Sequence, residues 1–375
     1  MSKHVVVTVN MAWNIANFRL GLIRSLIGAG YKVTALAPQD EHVARIKEAG
    51  CDFVHIPMNN KGTNPLQDLA LLLKYVRILR RLRPDVVLSF TIKPNVYGGM
   101  AAGILGIPVV NNIAGLGTTF IREGWLNKVA RVLYKASLAK SRKVYFQNAD
   151  DMALFQQLGL ANVWQSGLLP GSGVDTSRFA PQEAAARVNR PFVFLLVARL
   201  LWDKGVGEFV EALRHLRSAG YSVEGRLLGF LDAQNPTAIG RADIDAWLEE
   251  GLVRYLGSAS DVRPYIADAD CVVLPSYREG TPRALLEAGS MGKPLITTDA
   301  PGCKDVVLDG VTGFKVPVAN SLALSEAMKR MANLSDEEYQ AMSRDVRAFV
   351  VENYDESLVL KAYQKTLHEI FADVR

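Results

Sequence analysis

The chain has 375 residues, 49% hydrophobic and 22% charged, which is too long for one ordinary core, suits two domains of roughly 150–200 residues, and excludes disorder. Its three cysteines, Cys51, Cys271 and Cys303, are an odd number at wide spacings, which excludes a disulfide framework or zinc cluster and suits a reducing cytoplasm. The net charge of +5 is unevenly placed: residues 1–180 hold 21 Lys and Arg against 10 Asp and Glu, a net of +11, and the remainder carries −6. The basic first half therefore suits phosphates or an anionic membrane face.

From the start, MSKHVVVTVN enters a strand-like run, with no expected secretory leader. Strands follow near 4–9, 32–37, 52–57, 85–90, 107–112 and 143–148, with helical stretches near 17–29, 40–49, 66–83, 95–105, 125–139 and 149–158. Residues 94–121 carry no charge, but six glycines and two prolines interrupt them. A bilayer helix needs about 20 mostly apolar residues without such breaks, so no transmembrane span is expected. The run 167–181 is dense in Gly, Pro and Ser, and the alternation then restarts. Strands recur near 192–198, 223–229, 253–257, 271–276 and 294–298, and a last helix covers 355–373.

Near-continuous apolar strands, each followed by a helix, predict parallel sheets covered on both faces. The expected architecture is α/β: two doubly wound, Rossmann-like domains with a cleft at the carboxyl ends of their sheets. The expected boundaries are 1–175, 176–354 and a terminal helix, 355–375, that returns to the first domain.

Chemistry concentrates in CVVLPSYREGTPRALLEAGSMGKPLITT (271–298). A buried strand ends near Pro275, and a helix opens at Pro282 or Arg283. Backbone donors at Gly280 and Thr281, backed by the helix dipole, outline an anion site. Glu279 before the helix can reach a sugar hydroxyl, and Glu287 inside it can accept both hydroxyls of a ribose; a capping acid and an exposed helix residue are the bland alternatives. In VARLLWDKGVGEFVEAL (197–213), Arg199 and Lys204 at a strand's carboxyl end can neutralise a diphosphate or can be ordinary surface cations. Neither a P-loop nor G-x-G-x-x-G is present.

The ordered motifs R-x4-K-G-x3-F, L-P-S-x2-E-G-x-P-x4-E-A, G-K-P-x-I-x-T and D-G-x-T-G resemble family 4 of the retaining glycosyltransferases, which have the GT-B fold. The likeness runs along the chain, from VDTSRFAP (174–181) at the linker to the terminal helix. It implies a nucleoside diphosphate sugar bound mainly by the second domain. Arg199 and Lys204 would hold the diphosphate, Glu279 would contact the donor sugar, and Gly280, Thr281 and Pro282 would line its site. Glu287 would hold the ribose, and Leu256 and Val262 would flank the base. Glu279 is not assigned as a nucleophile.

The first domain departs from many members of the family. Its first loop, NMAWNIANFR (10–19), offers Asn14 and Asn17 in place of paired glycines, and NNIAGLGTT (111–119) holds Gly115 and Gly117 but no histidine. Lys93 and Asn95 of TIKPNVYG (91–98) are candidates to serve the site instead, Lys93 in a catalytic role. N-F-R, K-P-N and G-L-G resemble a bacterial subgroup that adds sugars, often N-acetylgalactosamine, to polyprenyl diphosphate-linked saccharides. The implied donor is a UDP-sugar, and the implied setting is lipopolysaccharide, O-antigen or glycoprotein glycan assembly.

Charge patterning agrees with a lipid-linked acceptor. Lys74, Arg77 and Arg81 share one face of 71–84, against Leu72, Val76 and Leu79. Lys128, Arg131 and Lys135 do so in 125–143, with Trp125 and Tyr134 among the apolar residues. Basic amphipathic helices suit an anionic membrane surface, so a cytoplasmic protein peripherally bound to the inner membrane is expected; helices with their apolar faces in the core are the alternative. Nucleic acid is not an expected partner, because no recognition motif accompanies the charge. Asp243-Ile-Asp245 and Asp268-Ala-Asp270 fit D-x-D, but two cations already face the diphosphate, so neither a metal nor a cofactor is expected. The competing readings are a UDP-sugar epimerase or hydrolase, a transferase of another UDP-hexose, and a sugar-binding protein.

Overall fold

The computed structural model describes residues 2–59, 64–116, 125–182, 190–231, 235 and 237–373, except the side chains of 125 and 126. Two compact units emerge: Met1–Ser172 together with Ser357–Arg375, and Gly173–Glu356. The break at Ser172 lies within the Gly-Pro-Ser run, where turn-forming residues disfavour regular structure.

The first unit holds a parallel sheet of β1 (His4–Thr8), β2 (Lys32–Ala37), β3 (Asp52–His55), β4 (Val86–Phe90), β5 (Val109–Ile113), β6 (Lys143–Phe146) and β7 (Ser166–Leu168), in the order β3-β2-β1-β4-β5-β6-β7. Every residue of β1, β4 and β5 is buried. Val5 and Val7 enter one apolar cluster while Val6 enters another on the opposite face. Period-2 side chains thus feed two cores, as a sheet covered on both sides requires. The covering helices are α1 (Ala12–Phe18), α2 (Leu20–Gly28), α3 (Val43–Glu48), α4 (Pro65–Leu82), α5 (Gly99–Leu105), α6 (Trp125–Leu138) and α7 (Ala149–Gln157).

The second unit repeats the plan. It comprises β8 (Phe192–Val197), β9 (Val223–Leu228), β10 (Val253–Tyr255), β11 (Cys271–Leu274), β12 (Leu295–Thr298) and β13 (Gly313–Val316), ordered β10-β9-β8-β11-β12-β13 and all parallel. Its helices are α8 (Val206–Ser218), α9 (Arg241–Glu249), α10 (Arg263–Ala267), α11 (Arg283–Ser290), α12 (Ser321–Ala332) and α13 (Asp336–Tyr354). Then α14 (Glu356–Ala372) joins the first unit, where Tyr363, Leu367 and Ile370 enter the core beside Val5 and Leu88.

Local chemistry sets the helix ends. Asn64 caps α4 by accepting from the Leu66 and Gln67 amides at 3.0 and 3.3 Å, Pro65 supplies the first turn, and Arg83 closes it in the left-handed region. Ser335 and Glu338 form a capping box on α13.

Four details differ from the sequence expectation. The helix expected at 17–29 is two, broken at Arg19, where φ is −130°. The one at 95–105 begins as a π-helical turn, Pro94–Gly98. The strands β7 and β13 went unpredicted, being three or four residues long with a glycine in each, too short for alternation to register. The helix expected at 40–49 is shorter, Val43–Glu48, while α11 takes the second of its two expected starts, Arg283, with Pro282 as N-cap.

In each unit the chain winds one way from a central strand and then reverses, between β1 and β4 and between β8 and β11. Loops leaving such a pair diverge, and their carboxyl ends are where ligands settle in open α/β sheets.

Candidate functional site

The loops after β8 and β11 form the candidate site, and they are packed against each other. Gly205 precedes α8 at φ +71°, and a Cβ there would lie 2.1 Å from the Pro275 carbonyl oxygen. Only glycine fits both the backbone angle and the approach. The Asp203 carbonyl accepts from the Tyr277 amide at 3.0 Å and from Ser276 Oγ at 3.2 Å. The β11 loop is braced from its other side by Gly302, where a Cβ would meet the Glu279 and Gly280 carbonyl oxygens at 2.4 and 2.3 Å. The Glu279 amide donates to the Pro301 carbonyl at 3.1 Å. These contacts hold Glu279, Gly280 and Thr281 just before the α11 N-terminus, where a helix leaves backbone donors without intrahelical partners.

Within this frame Lys204 Nζ and Glu279 Oε1 form an ion pair, each side chain 16% exposed. Two residues 75 positions apart thus converge because β8 and β11 are neighbours. Arg199 follows β8 directly and is exposed. Behind the pair, Tyr277 Oη donates to Glu208 Oε1 at 2.5 Å and Thr237 Oγ1 donates to Asp203 Oδ2 at 3.2 Å. Burial, followed by the Glu208 and Asp203 carboxylates, pushes the Tyr277 hydroxyl up to about 12, so it stays a donor at neutral pH.

Glu287 lies on the second turn of α11. Arg283 Nε, one turn earlier, donates to its Oε1 at 2.8 Å. Burial raises the Glu287 carboxyl above its ordinary value, and Arg283 and then Arg178 pull it back. Leu256 follows β10 and Val262 caps α10; both are partly buried against the same apolar cluster. Pro282 is buried as the α11 cap.

Among the described residues, the first-unit candidates bond to different partners. Asn14 and Asn17 lie on α1; Asn17 Nδ2 donates to the Trp13 carbonyl at 3.0 Å, and Arg45 reaches its Oδ1 at 3.4 Å. Lys93 follows β4 and pairs with Asp68 of α4 at 2.7 Å. Asn95 is interior: its Nδ2 donates to the Asn112 carbonyl at 2.8 Å, and Asn111 Nδ2 donates to its Oδ1 at 3.0 Å. Gly115 takes φ +119°, and Gly117 lies outside the described residues.

Sequence reading missed several partners. Asp68 had no signal, being 25 residues from Lys93. The Arg283–Glu287 spacing of four was visible but unread. Thr91 adopts φ +64°, unusual for a β-branched residue, and its Oγ1 accepts the Asn10 amide at 3.2 Å, joining the β1 and β4 loops.

The D-x-D aspartates are engaged elsewhere. Asp243 accepts the Gly240 amide at 3.0 Å and Asp245 pairs with Arg241. Asp268 pairs with Arg226, and Asp270 with Arg190 at 2.7 Å, both before β11 and thus at the sheet end away from the site. Among the described residues no three His, Cys, Asp or Glu side chains group as metal ligands.

Comparison with known proteins agrees on one class. Residues 191–333 match the family described as "Glycosyl transferases group 1", and residues 6–148 match "Glycosyl transferase 4-like". The chain is 27% identical to the N,N'-diacetylbacillosaminyl-diphospho-undecaprenol alpha-1,3-N-acetylgalactosaminyltransferase of Campylobacter jejuni, over 96% of this chain and 97% of that one. It is 25% identical to the UDP-Gal:alpha-D-GlcNAc-diphosphoundecaprenol alpha-1,3-galactosyltransferase of Escherichia coli, over 80% and 79%. A glycosyltransferase from Rickettsia africae superposes with a TM-score of 0.80 at 17% identity, covering 99% of both chains. Anabaena HepE in complex with UDP gives 0.77 at 18%, covering 98% of this chain and all of HepE.

Proposed function

As a member of family 4 of the GT-B glycosyltransferases, the chain transfers a sugar, and we propose that it moves N-acetylgalactosamine from UDP-N-acetylgalactosamine to a polyprenyl diphosphate-linked saccharide, with retention, in bacterial surface glycan or glycoprotein glycan assembly. The observation that carries the donor half is the convergence of Lys204 and Glu279 beside the α11 N-terminus, with Glu287 about one turn further on. The acceptor half and the sugar rest on the full-length likeness to the Campylobacter enzyme.

In this reading the diphosphate lies against Lys204 and Arg199, with the Gly280 and Thr281 backbone toward it. As the bond from the sugar's anomeric carbon to the diphosphate oxygen breaks, charge grows on that oxygen, and these fixed positive groups stabilise it. Glu279 orients the sugar through its hydroxyls. A carboxylate already paired with an ammonium is a weakened nucleophile, which favours an orienting role over a covalent one. Glu287 accepts ribose hydroxyls, Leu256 and Val262 flank the uracil, and Pro282 shapes the turn between them. Lys93, Asn14, Asn17 and Gly115 belong to the acceptor side. Asn95 acts there through the backbone it braces.

We also assign the protein to an anionic membrane face. On α4, Leu71, Tyr75 and Leu79 point into the core, while Leu66, Leu69 and Leu73 are 79%, 54% and 61% exposed on the opposite side. Lys74, Arg77, Arg80 and Arg81 are exposed beside them. On α6, Tyr134 is buried, but Val129 and Val132 are exposed among Lys128, Arg131 and Lys135. No helix among the described residues is long and apolar enough to cross a membrane.

The test is transfer from a panel of UDP-sugars to an undecaprenyl diphosphate-linked saccharide in vesicles, with EDTA present and the product anomer read by NMR. An α-linked N-acetylgalactosamine product supports the whole reading. A galactose or glucose product keeps the reaction and replaces the sugar; acceptor-independent release of UDP, or an epimerised donor, replaces the transferase reading.

A further inference from the structure

Glu287 is a carboxylate only 14% exposed, and its immediate charged partner is on its own helix. Arg283 Nε donates to Oε1 at 2.8 Å, and the Arg283 side chain is itself only 20% exposed. Oε2 has no hydrogen bond among the described residues. That geometry leaves one carboxylate oxygen open to a ligand and anchors the other.

The surrounding charges come from two further segments. Arg178 precedes Phe179, whose carbonyl accepts Ser290 Oγ of α11 at 2.7 Å. Asp261 precedes α10 and is tied to Arg263 at 2.6 Å; that pairing holds its carboxyl down at about 2. Arg263 also reaches the Arg178 carbonyl at 3.5 Å. From α13, Arg347 is directed to the Ser290 carbonyl. Arg283 is therefore the group in hydrogen-bond contact with Glu287, with Arg178 assisting and Asp261 opposing it.

We propose that Arg283 is the positioning residue of the ribose site: it holds the Glu287 carboxylate ionised and in one orientation so that the open oxygen can accept a ribose hydroxyl. The inference rests on the reading of Glu287 as the ribose acceptor and adds that this acceptor depends on its helix neighbour. Burial raises the Glu287 carboxyl, and the Arg283 charge at hydrogen-bond distance lowers it. With Arg283 in place, its charge opposes that rise. Without it, protonation begins at higher pH, and a protonated carboxyl no longer offers both oxygens as acceptors. The sign is fixed: loss of Arg283 must make nucleotide binding more sensitive to acid.

The experiment is calorimetric binding of UDP to the full chain from pH 5.5 to 8.5, comparing wild type with Arg283→Met, Arg283→Lys and Glu287→Ala. Folding is checked by circular dichroism at each pH, and the titration of UDP itself cancels in ratios to wild type. In Arg283→Met the acid-side loss of affinity should begin at a clearly higher pH than in wild type. Arg283→Lys should recover most of the shift. Glu287→Ala should bind weakly with no such acid limb. A profile for Arg283→Met that parallels wild type, with Glu287→Ala weakened, would overturn this inference alone. A pH-independent loss in Arg283→Met would make it a direct nucleotide contact and overturn the positioning role. Unweakened binding by Glu287→Ala would remove the ribose site itself.

Discussion

The two units share a winding order, yet the loops at the reversal of their sheets are built differently. In the second unit the loop after β11 is packed backbone to backbone against the loop after β8 at Gly205 and against the loop after β12 at Gly302, and charged side chains stand on that braced frame. In the first unit the Asn10 amide of the loop after β1 donates to Thr91 Oγ1 of the loop after β4. The interior beneath is an amide network: Asn111 to Asn95, Ser141 to Asn111 Oδ1 at 2.7 Å, and Asn112 to Tyr363 Oη at 3.0 Å. On α4 and α6 of that unit Lys and Arg stand on exposed helix faces, while Lys93 and Asp68 pair in a largely buried position. On the proposed reading, the difference teaches that one topology can support two tasks. A small anionic ligand needs fixed donors, whereas a lipid surface needs only breadth and charge.

The largest expected effect comes from dismantling the charged pair. Lys204→Ala and Glu279→Ala should each lower transfer by about 10²–10³-fold or more with circular dichroism unchanged; full activity in either would end the site assignment. Reversing Arg77, Arg80 and Arg81 to Glu should nearly abolish binding to phosphatidylglycerol vesicles, since each surface cation contributes about 1 kcal/mol and three together about 10²-fold. Binding of UDP should be untouched in that variant, and an equal loss of both would erase the division of labour between the units. Gly205→Ala should cost about 1–3 kcal/mol by denaturant titration, with UDP affinity falling alongside, because the new methyl group forces the β8 and β11 loops apart. An unchanged midpoint and affinity would show that the close approach is not needed. The smallest effect belongs to Tyr363→Phe, which removes the partner of Asn112. It should lower stability by about 1 kcal/mol and leave UDP binding alone.

Near-continuous apolar strands such as HVVVT, VVLSF and FVFLLV were legible as buried parallel strands because a sheet covered on both faces leaves little polar alternation to confuse them. The break at Arg19, the π-turn after β4 and the edge strands β7 and β13 were not legible. Each is decided by contacts with residues distant in sequence rather than by a local period. Among site residues, the ordered motifs held Glu279, Glu287, Arg199 and Lys204, but Asn95 looked as available as Lys93 until the fold placed it in the interior.

By itself the sequence determined the class of fold, the charge division between the halves, and the ordered motifs on which the likeness to family 4 rests. These follow from hydrophobic period and motif spacing, which are local properties of a chain. Only the tertiary structure decided which charges pair. Lys204 meets Glu279 because β8 and β11 are neighbours, and Lys93 meets Asp68 because α4 packs beside the turn after β4. It also separated the buried leucines of α4 from the exposed ones. Burial depends on what the rest of the chain covers, and no spacing along a helix carries that information.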